Sequence, residues 1–491
     1  MWNFRYGPAP NVAAQLMQQA DALRGMGRLS DALAAFDAAL AAAPLDAVTH
    51  CKRGLTLKSL GRLEEALASF ERGIVLQPQL APAHMDFGNT LQALGLPLEA
   101  LAAYDRAIAL QPHYPDALCN RGTVLHRLNR LREAIASYDA ALTIDPDRHG
   151  ADLNRSTALS DSGRDQEALA GFERAVGRDP NSALAHWNEA LCRLRLGDFE
   201  RGWPKFEWRW KYAELGLQER RYTQPRWLGD TEIAGRTILV YGEQGLGDAL
   251  QFCRYTELLA ARGAKVIVQA PAALCPLLRS LPGAQAVLSD DDPLPPFDCH
   301  APMLGLPLAF GTTLASIPAH TPYLSADPIR VDEWGRRLQP TSLRRIGLAW
   351  SGNPKHTNDH NRSVPLSEFS ALTGHDADFI ALQRDVREAD RVELGRQRIR
   401  FFGADLCDFS EAAALAMNLD LVISVDTSAA HLAGALGLPV WVLLPFAPDW
   451  RWLRDRDDSP WYPGARLFRQ SEPGDWEAVF SRVQQELLRC I

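Results

Sequence analysis

Apolar residues in the first two hundred positions fall at helical spacing, in paired blocks that recur with a shift of 34 residues. Gly27, Gly61, Gly95, Gly163 and Gly197 come into register, with Asn129 in the remaining unit. An aromatic stands nine residues after each: Phe36, Phe70, Tyr104, Tyr138, Phe172 and Phe206. A small residue recurs at Ala20, Gly54, Gly88, Gly122, Ser156 and Ala190, and proline closes five units at Pro44, Pro78, Pro112, Pro146 and Pro180. Each unit therefore reads as helix, tight turn at Gly or Asn, helix, proline stop. The small residue lets paired helices approach, and the aromatic fills the space between units. Such units stack into a solenoid with a concave face.

This period and pattern resemble the tetratricopeptide repeat. Two positions before the small residue, the first helices carry Lys52, Asp86, Asn120, Asn154 and Asn188. In tetratricopeptide superhelices this position looks into the groove, so Asp86, Asn120, Asn154 and Asn188 are the candidate peptide-groove residues. Asn offers both a donor and an acceptor, which suits the backbone of an extended peptide. The last unit adds Trp203 and then Phe206-Glu207-Trp208-Arg209-Trp210. Aromatics this dense at a terminal repeat predict a buried seam against whatever follows.

After Trp227 the period changes. Apolar runs at Thr237–Tyr241, Lys265–Gln269 and Ala284–Leu288 read as strands, separated by helical segments at 249–262 and 272–280. Residues 293–328 are proline-rich and read as irregular. A second alternating block follows, with strands expected at Ile346–Trp350, Phe379–Gln383, Arg400–Phe402, Leu419–Val425 and Val440–Leu444. Helices are expected at Glu411–Met417, Ser428–Leu436 and Trp476–Leu488. Alternating strands and helices predict parallel, doubly wound sheets, with a cleft at their carboxyl edges. The expected organisation is a repeat superhelix (1–215), a first α/β unit (216–330) and a second (331–491).

Composition narrows this picture. A chain of 491 residues is too long for one core, and 46% hydrophobic with 23% charged residues is ordinary for globular proteins. The net charge of −8 gives no support for nucleic-acid binding. Eight scattered cysteines, none in a C-x-x-C pair, argue against a zinc site and for reduced thiols. Met1–Asn11 has no apolar signal core and no run is long enough to span a membrane, so a cytoplasmic protein is expected.

The candidate chemistry sits in three turns. Leu419–Val425 runs into a helix through Asp426-Thr427-Ser428-Ala429-Ala430-His431. A strand that feeds a helix N-terminus aims free N–H groups and the positive dipole end at one spot, which suits a phosphate. Asp426 at its rim either accepts from sugar hydroxyls or simply caps the helix. Gly245-Leu246-Gly247-Asp248 lacks the dinucleotide fingerprint, yet its glycines allow close approach, and Asp248 is either a cap or a general base. The polar loop 355–363 carries Lys355 and Arg362, whose guanidinium matches phosphate geometry. Trp450-Arg451-Trp452 is expected to pack between the two α/β units, and His431 is a structural hydrogen-bonder or a catalyst. No P-loop and no convincing metal cluster is present.

Gly247-Asp248, Arg362-Ser363-Val364-Pro365 and Asp426-Thr427-Ser428-x-x-His431 with Leu438-Pro439 resemble family 9 glycosyltransferases, the bacterial heptosyltransferases, over about residues 235–491. The whole chain resembles bacterial tetratricopeptide-glycosyltransferase proteins, and is similar in plan to O-GlcNAc transferases and flagellin glycosyltransferases. The resemblance implies a GT-B fold of two Rossmann-like units and an inverting, metal-independent transfer with no cofactor beyond the nucleotide-sugar donor. It implies Asp248 as catalytic base, Arg362 on the nucleotide diphosphate, Asp426 on donor-sugar hydroxyls, Thr427 and Ser428 as backbone donors to the phosphates, and His431 as support. Lys355 and Gly247 fall in the same donor-site loops. The implied acceptor is a Ser or Thr of a protein held by the repeats, flagellin or another surface protein. Two other readings stay open: a non-catalytic peptide-binding scaffold with a degenerate transferase domain, and a transferase acting on a glycan or lipid.

Overall fold

The computed structural model describes residues 10–356 and 358–490, with side chains from residue 12. The signal-peptide reading of Met1–Asn11 falls mostly outside them. Packing divides the chain into two compact units, 1–171 and 172–491.

Among its described residues the first unit is built of helices joined by short turns. Paired helices such as Ala81–Ala93 with Pro97–Leu110, and Pro115–Arg127 with Leu131–Ile144, follow the 34-residue period. Each turn residue of the period has positive φ, from +57° at Asn129 to +80° at Gly163 and Gly197. That conformation is open to Gly and tolerated by Asn, which explains both residue types at this position. The aromatic column is buried, with Phe36, Phe70, Tyr104 and Tyr138 all at zero exposure. The small column exists for the aromatics: a Cβ on Gly122 would lie 2.7 Å from the Tyr138 ring.

The second unit begins at Phe172, within the helix Asp165–Arg178, and takes in the last repeat, Ala183–Arg195 and Phe199–Phe206. The 34-residue period places these helices with the solenoid, through residue 215. By packing they belong with the α/β part, because Ala190, Leu194, Phe199, Trp203 and Phe206 share its core. Strands β1 (Thr237–Tyr241), β2 (Lys265–Ala270), β3 (Ala284–Ser289) and β4 (Cys299–Pro302) form a parallel sheet in the order β3-β2-β1-β4. Strands β5 (Arg345–Ala349), β6 (Asp378–Ala381), β7 (Ile399–Arg400), β8 (Leu421–Val425), β9 (Val440–Leu444) and β10 (Ala465–Arg469) form a second parallel sheet, ordered β10-β9-β8-β5-β6-β7. Both are doubly wound. In the second, the chain reverses its direction of travel between β5 and β8, the place where such sheets open a crevice at their carboxyl ends.

Four sequence expectations are corrected. The stretch 293–328 is not wholly irregular: it holds β4, hidden because the strand is only four residues and ends in proline. β10 was also not expected from its mixed Arg and apolar pattern. The helix expected over 272–280 is reduced to Cys275–Leu278. The helix expected over 249–262 breaks in two, Leu246–Phe252 and Tyr255–Ala261. At the break the buried Arg254 donates its Nε to Gln251 O at 2.8 Å, occupying the carbonyl that an unbroken helix would offer to Tyr255 N–H. Arg254 also donates to Trp461 O at 2.7 Å and to Tyr323 Oη at 2.9 Å, which holds it in the core.

The close fit of Gly122 to Tyr138 predicts that Gly122→Ala overpacks this pair and destabilises the first unit by about 1–3 kcal/mol. Urea unfolding followed by circular dichroism reads the change. Gly25→Ala, where nothing lies within 4 Å of the added methyl, should not show this loss.

Candidate functional site

The reversal of the second sheet gathers two of the three candidate turns. β5 leads into the loop that ends at Arg362, and β8 leads into Asp426-Thr427-Ser428. Arg362 Nη1 donates to the Asp426 backbone oxygen at 3.1 Å. Arg362 Nε lies 3.7 Å from Asp359, which also binds Arg387 at 2.5 Å and accepts from the Ser363 hydroxyl at 2.7 Å. Arg387 continues to Gly352 O at 3.1 Å, so a network of charge-assisted bonds braces the loop. Lys355 is exposed, and its ammonium makes no hydrogen bond or ion pair among the described residues; its backbone N–H is donated to Asn353.

Asp426 is not the cap of the following helix. Thr427 takes the N-cap position of Ser428–Ala435, and its side chain makes no capping bond; the Thr427 hydroxyl lies 3.2 Å from that of Ser424 instead. Ala430 N–H and His431 N–H both reach Thr427 O. Among the described residues nothing accepts from the N–H groups of Ser428 and Ala429, at a partly exposed helix start. This leaves donors and the positive helix end directed outward beside Arg362.

The third turn approaches from the first sheet. Gly247 is a glycine because a Cβ there would come within 2.8 Å of His431 Cδ2, with Ser428 Cα at 3.6 Å. Asp248, one residue on, accepts from Gly245 N–H at 2.8 Å and is bound by a guanidinium nitrogen of Arg451. Arg451 also donates to Gln251 at 2.7 Å and to Asp449 at 2.8 Å. The three candidate turns thus meet, and Asp248 is held on both oxygens.

Trp450 and Trp452 are buried, as expected of packing residues. Trp450 meets Trp203 edge to face at 5.3 Å and Phe206 at 6.0 Å, which forms the seam the terminal repeat predicts. Trp452 stacks on His431 at 5.5 Å, and His431 Nδ1 bonds Tyr462 Oη at 2.9 Å. Arg451, Asp449, Glu243 and Gln251 are the site residues that sequence reading missed. The one available signal was the arginine between the two tryptophans of 450–452.

Electrostatics follow from burial. Burial, aided by the nearby Asp449, pushes the Asp426 carboxyl up to about 6, against the pull of Arg362. Burial would raise Asp449 too, but Arg451 outweighs it and holds that carboxyl below its usual range. His431 is pushed down to about 3, by burial and then by Arg451, so it is a neutral ring at physiological pH. Glu243, in the same turn as Asp248, is pushed up to about 7 by burial against the pull of Arg209.

The first unit carries its own candidate site. Lys58, Asn89, Gln92, Ala93, Asn120 and Arg127 line an open cavity of about 430 Å³, all from first helices of successive repeats. Asn120 donates to Asn89 at 2.8 Å, and Tyr104 Oη donates to Asn89 at 2.8 Å, which fixes the amide floor. Asp86 lies nearby; burial raises its carboxyl, opposed by Lys58 and by a hydrogen bond from Asn89. Asn154 is exposed in the first unit, and Asn188 belongs to the second unit, so neither lines this cavity. Repeat arginines such as Arg53, Arg121 and Arg155 are ion-paired, whereas Lys58 and Arg127 make no ion pair among the described residues.

Among the described residues no helix is long and apolar enough to cross a membrane, and no group of three or more His, Cys, Asp or Glu is placed to hold a metal ion.

Residues 17–81, 85–149 and 153–207 match the tetratricopeptide repeat family model, and the N-terminal part of the chain is built of these repeats. The chain is 26% identical over 334 residues to Protein FlbA of Caulobacter vibrioides, a match covering 62% of this chain and 55% of FlbA. The chain thus spans little more than half the length of that relative. Among solved structures, the MamA protein is 26% identical with a TM-score of 0.33, covering 36% of this chain and 96% of MamA. YrrB, described as a tetratricopeptide protein with an unusual peptide-binding site, is 23% identical with a TM-score of 0.33, covering 36% of this chain and 91% of YrrB.

The raised carboxyl of Asp426 has a stability consequence. A carboxyl whose pKa is higher folded than unfolded contributes stability below the unfolded value, near 3.8, and loses it as pH rises through about 6. Asp426→Asn mimics the neutral acid. It should therefore be more stable than wild type at pH 8, by on the order of 1–2 kcal/mol. The advantage should vanish by about pH 4. Thermal melts of both proteins across this range check the sign.

Proposed function

We propose that the chain is an inverting glycosyltransferase that moves a sugar from a nucleoside diphosphate onto a Ser or Thr hydroxyl of a polypeptide held by the repeats. The observation that carries this reading is the meeting of three turns at one crevice. An uncapped helix N-terminus and Arg362 lie on one side, with Asp426 between them and Gly247-Asp248 opposite. The first two suit a diphosphate, and a carboxylate at their edge suits sugar hydroxyls.

In the reaction, the acceptor oxygen attacks the anomeric carbon from the face opposite the diphosphate. The bond from that carbon to the diphosphate oxygen breaks, and its electron pair leaves with the nucleotide. Arg362 and the helix N–H groups meet the charge that develops on the leaving group. Asp248 takes the hydroxyl proton. The amide floor at Asn89 and Asn120 holds the acceptor backbone, and the unpaired Lys58 and Arg127 favour a segment carrying acidic side chains.

One observation favours a second reading. Both oxygens of Asp248 are engaged, by Gly245 N–H and by Arg451, an arrangement equally at home in a non-catalytic scaffold.

Thermal-shift screening of the full chain against nucleotide sugars separates the two. At least one nucleotide sugar should raise the melting temperature, and Asp426→Ala should abolish the shift. Asp248→Asn should keep the shift while losing transfer by about 100-fold or more. A chain that no nucleotide or nucleotide sugar stabilises, yet that still captures acidic peptides through Asn120 and Arg127, is the scaffold.

A further inference from the structure

The turn that carries Asp248 is gripped by two arginines that lie outside the first sheet. On one side stands Arg209, in the short helical turn Glu207–Trp210 that follows the last repeat. Its side chain has zero exposure and lies over the rings of Phe206 and Trp210, with centroids at 5.0 and 4.8 Å. It bonds Glu207 at 2.6 Å and Glu243 at 3.1 Å. Glu243 is two residues past β1, its side chain 4% exposed, and it also accepts from Leu304 N–H just beyond β4. On the other side stands Arg451, from the second α/β lobe, its side chain 9% exposed and lying over the Trp450 and Phe252 rings. It holds Asp248, at the far end of the same turn, and Gln251, three residues further along the helix that follows.

We infer that Arg209 and Arg451 are positioning residues that clamp the turn Gly242–Asp248 from opposite ends, so that the end of the repeats and the donor-side lobe together set where Asp248 points. The turn needs such help. It is glycine-rich and exposed at Gln244 and Gly245, where the backbone has wide conformational freedom. Each arginine joins elements that are distant in sequence: Arg209 is 34 residues from Glu243, and Arg451 is 203 residues from Asp248. Both guanidinium groups are desolvated and stacked on aromatic rings, so neither can follow the turn if it moves. A shift of the terminal repeat is thereby passed to Glu243, and a shift of the second lobe to Asp248.

The catalytic consequence rests on the transferase reading; the mechanical one does not. Hydrogen exchange of the full chain, read by mass spectrometry over the peptide containing 242–248, tests the clamp directly. Arg209→Gln and Arg451→Gln should each speed exchange there by about tenfold or more, while the β2 and β5 peptides keep wild-type rates. In the transfer assay both should lower kcat about tenfold or more, with the donor KM changed less than about threefold, which a general loss of structure would not produce. Should an arginine variant fail to fold, Glu243→Gln removes the charge that Arg209 pairs with and Gln251→Leu removes one of the bonds that seat Arg451, and both are held to the same exchange limit. Exchange at 242–248 within about twofold of wild type in the folded variants overturns the inference. If wild type itself transfers no sugar, the transferase reading fails and the exchange result alone decides the clamp.

Discussion

A parallel sheet is covered on both faces, and where its winding reverses, the connections leave a gap at the carboxyl ends of two neighbouring strands. In the second sheet those strands are β5 and β8. The rest of the site depends on this gap. It brings Arg362 to the Asp426 carbonyl, and it leaves the Ser428 end of a helix partly exposed, with its first N–H groups free among the described residues. The same constraint makes the site costly. A carboxyl pressed into a crevice between packed strands loses its water, and Asp426 is accordingly pushed up to about 6 with Asp449 close by.

The second unit is closed by aromatic packing rather than by a linker. Phe199, Trp203 and Phe206 of the last repeat, Phe252 of the first lobe and Trp450, Trp452 and Trp461 of the second belong to one buried cluster. Charges are threaded through it with their partners. Arg254 is held by backbone carbonyls and Tyr323, Arg209 by two glutamates and Arg451 by two aspartates. A buried guanidinium left without its partners is strongly unfavourable, so these groups specify which surfaces can meet. The terminal repeat is therefore part of the α/β architecture, although its period reads as solenoid.

Much of this was legible in the chain. The 34-residue period predicts the turns that take positive φ and the aromatics that reach zero exposure, because both are local consequences of residue type and spacing. Eight of the ten strands are marked by apolar runs. The two that are not, β4 and β10, are short or interrupted by charge, and they become strands through their neighbours' hydrogen bonds. The split helix at Cys253 was not readable either, since it depends on Arg254 finding partners sixty to two hundred residues away. In the repeats, Asn120 was readable at its column, whereas Asn89, Gln92, Lys58 and Arg127 join the cavity only through the way successive helices stack.

By itself, then, the sequence determined the repeats, the alternation of strand and helix and the three turns that carry candidate chemistry, all set by local spacing and backbone preference. The tertiary structure decided what those turns face. It placed Thr427 rather than Asp426 at the helix start, without a capping bond, turned Asp426 into the crevice, bound Asp248 to Arg451, left Lys355 exposed and drew the last repeat into the second unit. These outcomes depend on which distant groups share a desolvated space, and that is a property of packing rather than of any stretch of chain.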